Sequence, residues 1–502
     1  MPAPLASREL IEVTLDDGSF DEWPSTARHA GDDASYAAEL AAATGSTGLV
    51  EAVVTGRGLL EGRPVAVIVG EFAFLGGSIG IATAETIVRA VRRATDEGLP
   101  ILAAPVSGGT RMQEGTLAFL QMVRISAAVS DHKRAGLAYL VYLRNPTTGG
   151  VFASWGTMGH ITVAEPGALI GFLGPRVFRA LHGEDFPAGV QTAENLFAHG
   201  IVDAVVAVRH LRALAATVLD ILAPAEPVSA ASPLDRTVAS SAGFDDWRSV
   251  ELSRHRARPG LRSLLRVAAT QVVQLRGTGT GEADSTLTLA LARFGGHGVV
   301  VLGQDRRSQT GEVALGPAAL RLAVRGIRLA EDLGLPLVTV VDTPGAALSR
   351  EAEEGGLAGE IGRCMVALLE AAVPTVSVIL GQGTGGAALA LVPCDLVLVA
   401  ENGWLAPLPP EGASAIVYRD ADHADSCARD QRVGSLHLAE DGIADAVIAE
   451  PLPAHADADA FAARTGVAVE GALDILVRRN TQERLRQRRR RYDLLGSSRL
   501  AP

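Results

Sequence analysis

The run Asn145-Pro146-Thr147-Thr148-Gly149-Gly150 is matched, 236 residues further along the chain, by the run Gly381-Gln382-Gly383-Thr384-Gly385-Gly386. The same offset, without a gap, relates other anchors in residues 86–165 and 322–401: Val88-Arg89 with Val324-Arg325, Gly98-Leu99-Pro100 with Gly334-Leu335-Pro336, and Ala164-Glu165 with Ala400-Glu401. One shared offset predicts two copies of one fold rather than many small repeats. The copies have diverged between these anchors, so we expect each half to hold a different partner.

Each double glycine follows an apolar run that predicts a buried strand, and a helix is expected to begin at it. The predicted strands are Val65–Val69, Ile101–Val106 and Ala138–Leu143, then Val299–Leu302, Leu337–Val341 and Thr375–Leu380. The predicted helices are Thr83–Glu97 and Thr116–Ala135, then Pro317–Leu333 and Glu360–Ala371. This alternation predicts an α/β fold of two tandem domains, each with a largely parallel sheet covered by helices.

The composition of the chain sets limits on domain count and ligand class. A length of 502 residues is too long for one core and suits two domains. We predict a first domain over residues 1–222, a linker over 223–245, where Ala, Pro and Ser are frequent, and a second domain over 246–502. The formal charge of −12 disfavours nucleic acid as a ligand.

Three cysteines without a CxxC pair support neither a disulfide framework nor a zinc site. No leader or membrane-spanning run is recognised, so the predicted location is the cytoplasm.

The double glycines suggest a main-chain chemistry. A strand that ends in Gly-Gly and opens a helix presents N–H groups unshielded by any Cβ, beside the positive end of the helix dipole. Such donors can stabilise a carbonyl oxygen as it becomes negatively charged. The structural alternative is that a strand-to-helix turn simply needs glycine. Two such turns at matching positions of a duplicated unit favour the functional interpretation.

The order of further motifs resembles a known family. The first half resembles the β half of the carboxyltransferase of acetyl-CoA carboxylase, and the second half resembles the α half. The first-half motifs are Phe74 to Ser78, Ser107 to Gly115, Pro146 to Val151, Ala164 to Pro166 and Gly174 to Arg176. The second-half motifs are Asp342 to Ala346, Gly381 to Ala388 and Pro410 to Ile416, and the ending Arg489 to Tyr492 is also similar to the α half.

The resemblance implies a crotonase-type fold that occurs twice, with acyl-CoA bound by the first domain and carboxybiotin by the second. Gly149 and Gly150 would hold the thioester oxygen as an enolate develops, and Gly386 with Ala387 would hold the ureido oxygen of biotin. No side-chain base is then required.

The family also implies partners: a biotin carboxylase and a separate biotin carboxyl carrier protein. It implies a homo-oligomer, a dimer or a hexamer, with active sites where the first domain of one subunit faces the second domain of another.

Other residues are candidates for substrate contacts. By the same resemblance, the candidates for binding the two reactants are Gly76, Gly77, Ser107, Gly108, Gly109 and Arg111 in the first half, and Gly345, Gly385 and Leu389 in the second. Arg111 could bind a CoA phosphate or form a salt bridge that fixes its loop. Leu389 could border the acyl pocket or pack in the core.

Four further groups of polar residues receive structural interpretations. Glu411 is interpreted as a helix cap rather than a base, and Asp342 as a residue that orients its own loop. The arginines from Arg484 to Arg491 are interpreted as a solvated helix face. His132, His160 and His182 show no metal-ligand spacing.

Some features depart from the family. The four-cysteine zinc ribbon common in β halves is missing, so no zinc is expected. The loop Ala346-Ala347-Leu348-Ser349-Arg350 lacks the aromatic residue and second proline common there, which weakens the assignment of acetyl-CoA as substrate and malonyl-CoA, a precursor in fatty acid biosynthesis, as product. Two alternatives stay open: a malonyl-thioester decarboxylase of the same fold, and a non-catalytic assembly subunit.

Overall fold

A computed structural model describes residues 5–25, 33–224, 244–311 and 313–497. The chain divides into two compact units, the first reaching to Asp220 and including Gly279–Glu282, the second comprising Ile221–Thr278 and the residues from Ala283 onward. Nearly all of the predicted linker, residues 225–243, lies outside the described residues.

The first unit, unit 1, alternates strands and helices after a short N-terminal segment. Its strands are β1 Asp21–Glu22, β2 Val53–Leu60, β3 Arg63–Gly70, β4 Ile101–Ala104, β5 Tyr139–Leu143, β6 Thr147–Thr148, β7 Ile161–Ala164, β8 Ile170–Gly171 and β9 Ala204–Val205. Its helices are α1 Ser7–Thr14, α2 Ala34–Thr47, α3 Ile81–Asp96, α4 Gly115–Arg134, α5 Gly149–Val151, α6 Pro175–His182, α7 Ala193–Ala198 and α8 Val208–Leu222. A π-helical turn, Phe152–Gly156, continues α5.

Seven strands of unit 1 form one sheet in the order β1-β2-β3-β4-β5-β7-β9. The pairs from β3 to β9 are parallel, as predicted, and β2 with β3 forms an antiparallel hairpin. Helix α3 buries one apolar face, including Ile87, Val88 and Val91, against this sheet. The carboxyl ends of β4 and β5 therefore lie side by side at one edge, where loops can approach each other.

The second unit, unit 2, repeats this plan. Its strands are β10 Ala269–Leu275, β11 Leu287–Phe294, β12 His297–Gln304, β13 Leu337–Thr343, β14 Thr375–Thr384, β15 Leu396–Ala400, β16 Trp404–Ala406 and β17 Ala446–Ile448. Its helices are α9 Asp246–Arg254, α10 Leu261–Ala268, α11 Pro317–Leu333, α12 Arg350–Glu354, α13 Leu357–Glu370, α14 Gly385–Leu389, α15 Pro410–Val417, α16 Ala424–Asp430, α17 Ser435–Glu440, α18 Ala458–Val477 and α19 Thr481–Leu494.

The sheet of unit 2 runs in the order β10-β11-β12-β13-β14-β15-β17, and β16 pairs with the end of β14. Residue pairing shows the duplication directly. Ile101 pairs with Tyr139 in unit 1, and Leu337 pairs with Thr375 in unit 2, so both partners are shifted by 236 residues. The internal repeat read from the sequence is therefore a repeat of strand register as well.

Three arginines of α19 are not on a solvated face, so that interpretation is wrong for Arg484, Arg488 and Arg491. The guanidinium of Arg488 donates to both oxygens of Asp395 at 3.0 and 2.8 Å. It also donates to the carbonyl oxygens of Leu368 and Ala371, both at 2.8 Å. Because the last carbonyls of a helix have no partner within it, Arg488 satisfies the end of α13 from outside.

We expect Arg488→Met to lower the free energy of unfolding by about 3–5 kcal/mol, because it leaves a buried carboxylate and helix-end carbonyls without this partner. Arg486→Met, an exposed position on the same helix, should change it by less than about 0.5 kcal/mol. Denaturant titration of the two variants checks this. Equal effects would show that Asp395 does not depend on Arg488.

Candidate active site

The first predicted turn of unit 1 lies at the carboxyl edge of its sheet. Thr148 is still extended, with φ −131° and ψ 168°, and Gly149 then takes φ +63°, so the chain turns into α5 within one residue. The N–H of Gly149 donates to the carbonyl oxygen of Phe172 at 3.1 Å. That amide is therefore committed to the turn, and the next donor in the helix is Gly150, whose N–H has no acceptor one turn earlier.

Two glycine-containing loops surround this turn. The hydroxyl of Ser107 accepts from the N–H of Gly109 at 3.0 Å and lies 3.1 Å from the Gly109 carbonyl oxygen. The N–H of Gly108 donates to the carbonyl oxygen of Gly76 at 2.8 Å. A Cβ on Gly77 would collide with the Val106 carbonyl oxygen, and one on Gly149 would lie 3.4 Å from the Gly109 Cα. The structure thus brings Gly76, Gly77, Ser107, Gly108, Gly109, Gly149 and Gly150 together.

Unit 2 contains the same kind of turn and the same kind of supporting loop. Gly385 has φ +64° and follows an extended Thr384, and the hydroxyl of Thr343 makes with Gly345 the two contacts that Ser107 makes with Gly109, at 3.1 and 3.0 Å. A Cβ on Gly345 would lie 3.8 Å from Thr384 Cγ2, so Gly345 and Gly385 also lie close together. Two matched main-chain turns therefore exist, one in each unit.

The second glycine of each pair lies against a packed helix. A Cβ on Gly150 would lie 3.1 Å from Met122 Cγ of α4, and one on Gly386 would lie 2.6 Å from Ile361 Cδ1 of α13. Both glycines are nevertheless half-buried rather than buried. A larger residue at Gly150 would thus press on α4 rather than simply fill the open side of the turn.

Ala387 is buried, in contrast to Gly385 and Gly386. Its carbonyl oxygen accepts from Nε2 of Gln304 at 2.7 Å, and Oε1 of Gln304 accepts from the N–H of Asp342 at 3.0 Å. The sequence-based interpretation missed Gln304, since no local motif surrounds it. The signal available was a lone amide at the end of an apolar strand.

The side chain of Arg111 forms a salt bridge, which was one of the two alternatives for this residue. Its guanidinium is buried and donates to Glu51 at 3.1 Å and to the Ser78 carbonyl oxygen at 2.9 Å. Burial alone would lower the pKa of Arg111, but the charge of Glu51 and its hydrogen bond more than offset this. The side chain fixes the loop that follows β4 and presents no charge to solvent for a CoA phosphate.

Leu389 and Glu411 differ in exposure and partners. Leu389 closes the short helix α14 and is 46% exposed, so it is not packed in the core of its unit. Glu411 lies in the first turn of α15 and pairs with Arg254 at 2.5 and 3.0 Å, which lowers its pKa. This carboxylate therefore acts as an ion-pair partner rather than a base.

Within residues 5–25, 33–224, 244–311 and 313–497, no group of three or more His, Cys, Asp or Glu side chains is placed to bind a metal ion. Among the same residues, no helix combines the length and the apolar character needed to cross a bilayer.

The family profile described as carboxyl transferase domain matches residues 4–488. The chain belongs to this family and is a carboxyl transferase. A probable biotin-dependent acyl-coenzyme A carboxylase beta3 subunit of Mycobacterium tuberculosis (strain ATCC 25618 / H37Rv) is 54% identical over 493 residues, covering 98% of this chain and 99% of that protein. The predicted family, the carboxyltransferase of biotin-dependent acyl-CoA carboxylases with both halves in one chain, is thereby confirmed.

Other similar proteins carry more specific names. Acetyl-coenzyme A carboxylase carboxyl transferase subunits beta/alpha of Salinispora arenicola (strain CNS-205) is 39% identical over 516 residues, covering 99% of this chain and 91% of that one. The crystal structure of transcarboxylase 12S, described as a hexamer with methylmalonyl-coenzyme A bound, superimposes with a TM-score of 0.75 at 22% identity over 95% of this chain and 90% of that one.

A single-chain long-chain acyl-CoA carboxylase gives a TM-score of 0.70 at 19% identity over 91% of this chain and 45% of that one. At these identities, the structural likenesses show the fold alone, and they confirm the predicted tandem crotonase-like architecture.

Asp342→Asn should remove a pH-dependent loss of stability. Burial raises the pKa of Asp342 above its ordinary 3.8 and outweighs the nearby Arg306. The folded protein then binds this proton more tightly than the unfolded chain, so the added stability is complete below a pH of about 4 and is lost as the pH rises toward the folded pKa. Denaturant titrations at pH 5 and pH 8 should show the wild type losing stability relative to Asp342→Asn.

The exposed Asp493→Asn serves as the control, because its side chain lies in solvent on α19. A difference between wild type and Asp342→Asn that stays constant from pH 5 to pH 8 would contradict the raised pKa.

Proposed function

We propose that unit 1 binds the acyl-CoA and unit 2 binds carboxybiotin, and that the carboxyl group moves from biotin to the α-carbon of the acyl group. The observation that carries this proposal is the pair of matched turns, whose first-turn amides have no acceptor within their short helices. Gly149 and Gly385 share the same left-handed conformation. Two reactants that each develop negative charge on an oxygen need two such donor sites.

In unit 1, the thioester oxygen would be held at the amino end of α5. Because the Gly149 amide already donates to Phe172, the donor role falls on Gly150, and Gly149 shapes the turn. The loops with Gly76, Gly77 and Ser107 to Gly109 would border the CoA chain. Such donors are worth about 3–4 kcal/mol each in characterised oxyanion holes.

In unit 2, the ureido oxygen of biotin would be held at the amino end of α14. Gly385 and Gly386 are half-buried and accessible, whereas Ala387 is buried, so the contact would fall mainly on the glycines. Gly345 would border the same ligand. When bound, carboxybiotin supplies both the carboxyl group and the base that takes the α-proton, and the main-chain amides at the turns need only hold and orient the reactants.

The names of the relatives support a substrate class and a set of partners. We propose a short acyl-CoA, with acetyl-CoA giving malonyl-CoA as the named case. The Salinispora relative is named for acetyl-CoA, while the transcarboxylase holds methylmalonyl-CoA. Biotin carboxylase and a biotin carboxyl carrier protein would be the partners, in a cytoplasmic homo-oligomer.

The assembly would place unit 1 of one subunit against unit 2 of another. The hexamer described for transcarboxylase 12S supports an oligomer of this kind. A dimer remains the alternative assembly.

The reverse reaction tests the proposal. In the presence of the purified protein, malonyl-CoA should lose its carboxyl group only when biocytin or free biotin is also present, because biotin is the carboxyl acceptor. Release of carbon dioxide and formation of acetyl-CoA measure this loss. Loss without biotin would instead support a malonyl-thioester decarboxylase. Silence with malonyl-, methylmalonyl- and longer carboxyacyl-CoA and with the biotinylated carrier would support an assembly subunit.

Leu389→Asp should change the choice of acyl chain. If the exposed Leu389 side chain contacts the acyl group, its removal should lower propionyl-CoA and butyryl-CoA carboxylation relative to acetyl-CoA by about fourfold per methylene, from roughly 0.8 kcal/mol per buried CH₂. Relative rates with carboxybiotin carrier measure this. Leu494→Asp, also an exposed leucine of unit 2, is the control. Unchanged relative rates in Leu389→Asp would remove Leu389 from the pocket.

A further inference from the structure

The two turns share their backbone but are anchored by different side chains. We propose that Ser154 in unit 1 and Gln304 in unit 2 are positioning residues, one for each reactant, that lock the helical turn behind each glycine pair. This inference rests on the proposed function, because it assigns Ser154 to the acyl-CoA side and Gln304 to the biotin side. Neither side chain needs to touch a substrate.

The short helices need such anchors. Helix α5 has three residues and α14 has five, far below the length of about 12–15 residues at which isolated helices become marginally stable in water. Adjacent peptide planes share a Cα, so fixing one carbonyl in so short a helix also restrains the neighbouring N–H groups. An external hydrogen bond to one carbonyl oxygen is therefore sufficient to hold the turn.

In unit 1 the anchor is a hydroxyl. Ser154 lies in the π-helical turn Phe152–Gly156, is buried, and its Oγ donates to the carbonyl oxygen of Gly150 at 2.6 Å. The backbone of Ser154 departs from helical dihedral angles, with φ −115° and ψ −105°, so the turn is irregular at this residue. The Ser154 hydroxyl adds a side-chain hydrogen bond to the Gly150 carbonyl oxygen at this irregular turn.

Unit 2 has no hydroxyl at the matching position. The residue that matches Ser154 at the offset of 236 is Ala390, which has no hydroxyl. Its N–H instead donates to the Gly386 carbonyl oxygen at 3.0 Å, in the ordinary α-helical pattern. A hydroxyl at position 390 is therefore unnecessary.

In unit 2 the anchor is a carboxamide. Gln304 is the last residue of β12 and is 0% exposed. Its Nε2 donates to Ala387 in α14 and its Oε1 accepts from the N–H of Asp342 at the end of β13, at 2.7 and 3.0 Å. Both ends of the amide are satisfied, so it links the helical turn to the neighbouring strand without leaving a buried polar atom unpaired.

Unit 1 has no room for this second device. Strand pairing aligns Ala66 with Ile101 and Val300 with Leu337, so the counterpart of Gln304 is Gly70, the last residue of β3. A Cβ on Gly70 would lie 2.9 Å from the backbone N of Val106, the residue that matches Asp342. The two copies therefore anchor their turns with different side chains, because position 70 has no room for a glutamine.

The test compares Ser154→Ala and Gln304→Met in the biocytin-dependent decarboxylation of malonyl-CoA. We expect Ser154→Ala to lower kcat/KM for malonyl-CoA about tenfold with the KM for biocytin unchanged. We expect Gln304→Met to lower kcat/KM for biocytin about tenfold with the KM for malonyl-CoA unchanged. One buried hydrogen bond is worth about 1–1.5 kcal/mol, which corresponds to a change of this size. Ser154→Thr keeps the hydroxyl and should restore the rate.

Hydrogen exchange followed by mass spectrometry gives a readout independent of turnover. Ser154→Ala should speed exchange in residues 149–156 only, and Gln304→Met in residues 385–392 only. Ser377→Ala removes a buried hydroxyl that has no hydrogen-bond partner and should change neither readout. It controls for the loss of a buried serine as such.

The outcomes separate this inference from the proposed function. If the wild type turns over malonyl-CoA with biocytin but both variants keep wild-type kinetics and exchange, the positioning roles are wrong and the function stands. A fall in kcat/KM for both malonyl-CoA and biocytin in either variant would indicate general destabilisation. That result would also overturn the positioning roles. A wild type that turns over none of the carboxyacyl-CoA substrates, with biocytin or with the biotinylated carrier, would defeat the function, while hydrogen exchange would still decide the anchoring.

Discussion

The positive φ angle at one glycine in each unit is the constraint on which both candidate sites depend. Gly149 and Gly385 take φ +63° and +64° directly after an extended threonine, so a strand becomes a helix within one residue. Residues with a Cβ rarely adopt this conformation. The hydroxyl-braced loops of Ser107 and Thr343, the flanking strand and the crossing helix are all arranged around this reversal.

The two glycines of each pair have separate reasons to be glycine. The first is set by its backbone angle and the second by the helix packed behind it, through Met122 in unit 1 and Ile361 in unit 2. Backbone angle and helix packing thus both favour a double glycine before any ligand is considered. The donor role proposed for the second glycines is supported by their partial exposure, at matched positions, in a chain that belongs to a carboxyl transferase family.

The sequence was sufficient for the parts of the structure that are local or repeated. Strand and helix periodicity predicted α3, α4 and α11 to within two residues at each end, and the common offset predicted the matched turns. It was not sufficient for side chains whose partners are distant in the chain. Arg111 forms a hydrogen bond with Glu51, which is 60 residues away in the chain, and Arg488 forms one with Asp395, which is 93 residues away. A charged residue in a loop or a helical stripe carries no local mark of such a partner.

The two copies share their double-glycine turns but differ in the side chains that support them, and physical chemistry explains why. The left-handed conformation strongly favours glycine at the first position of each pair. A carbonyl oxygen, by contrast, is satisfied equally by a backbone amide, a hydroxyl or a carboxamide, provided that the donor lies within hydrogen-bonding distance. Ala390, Ser154 and Gln304 supply these three kinds of donor. A duplicated unit can therefore keep its double glycine while the side chains that support each turn differ between the copies.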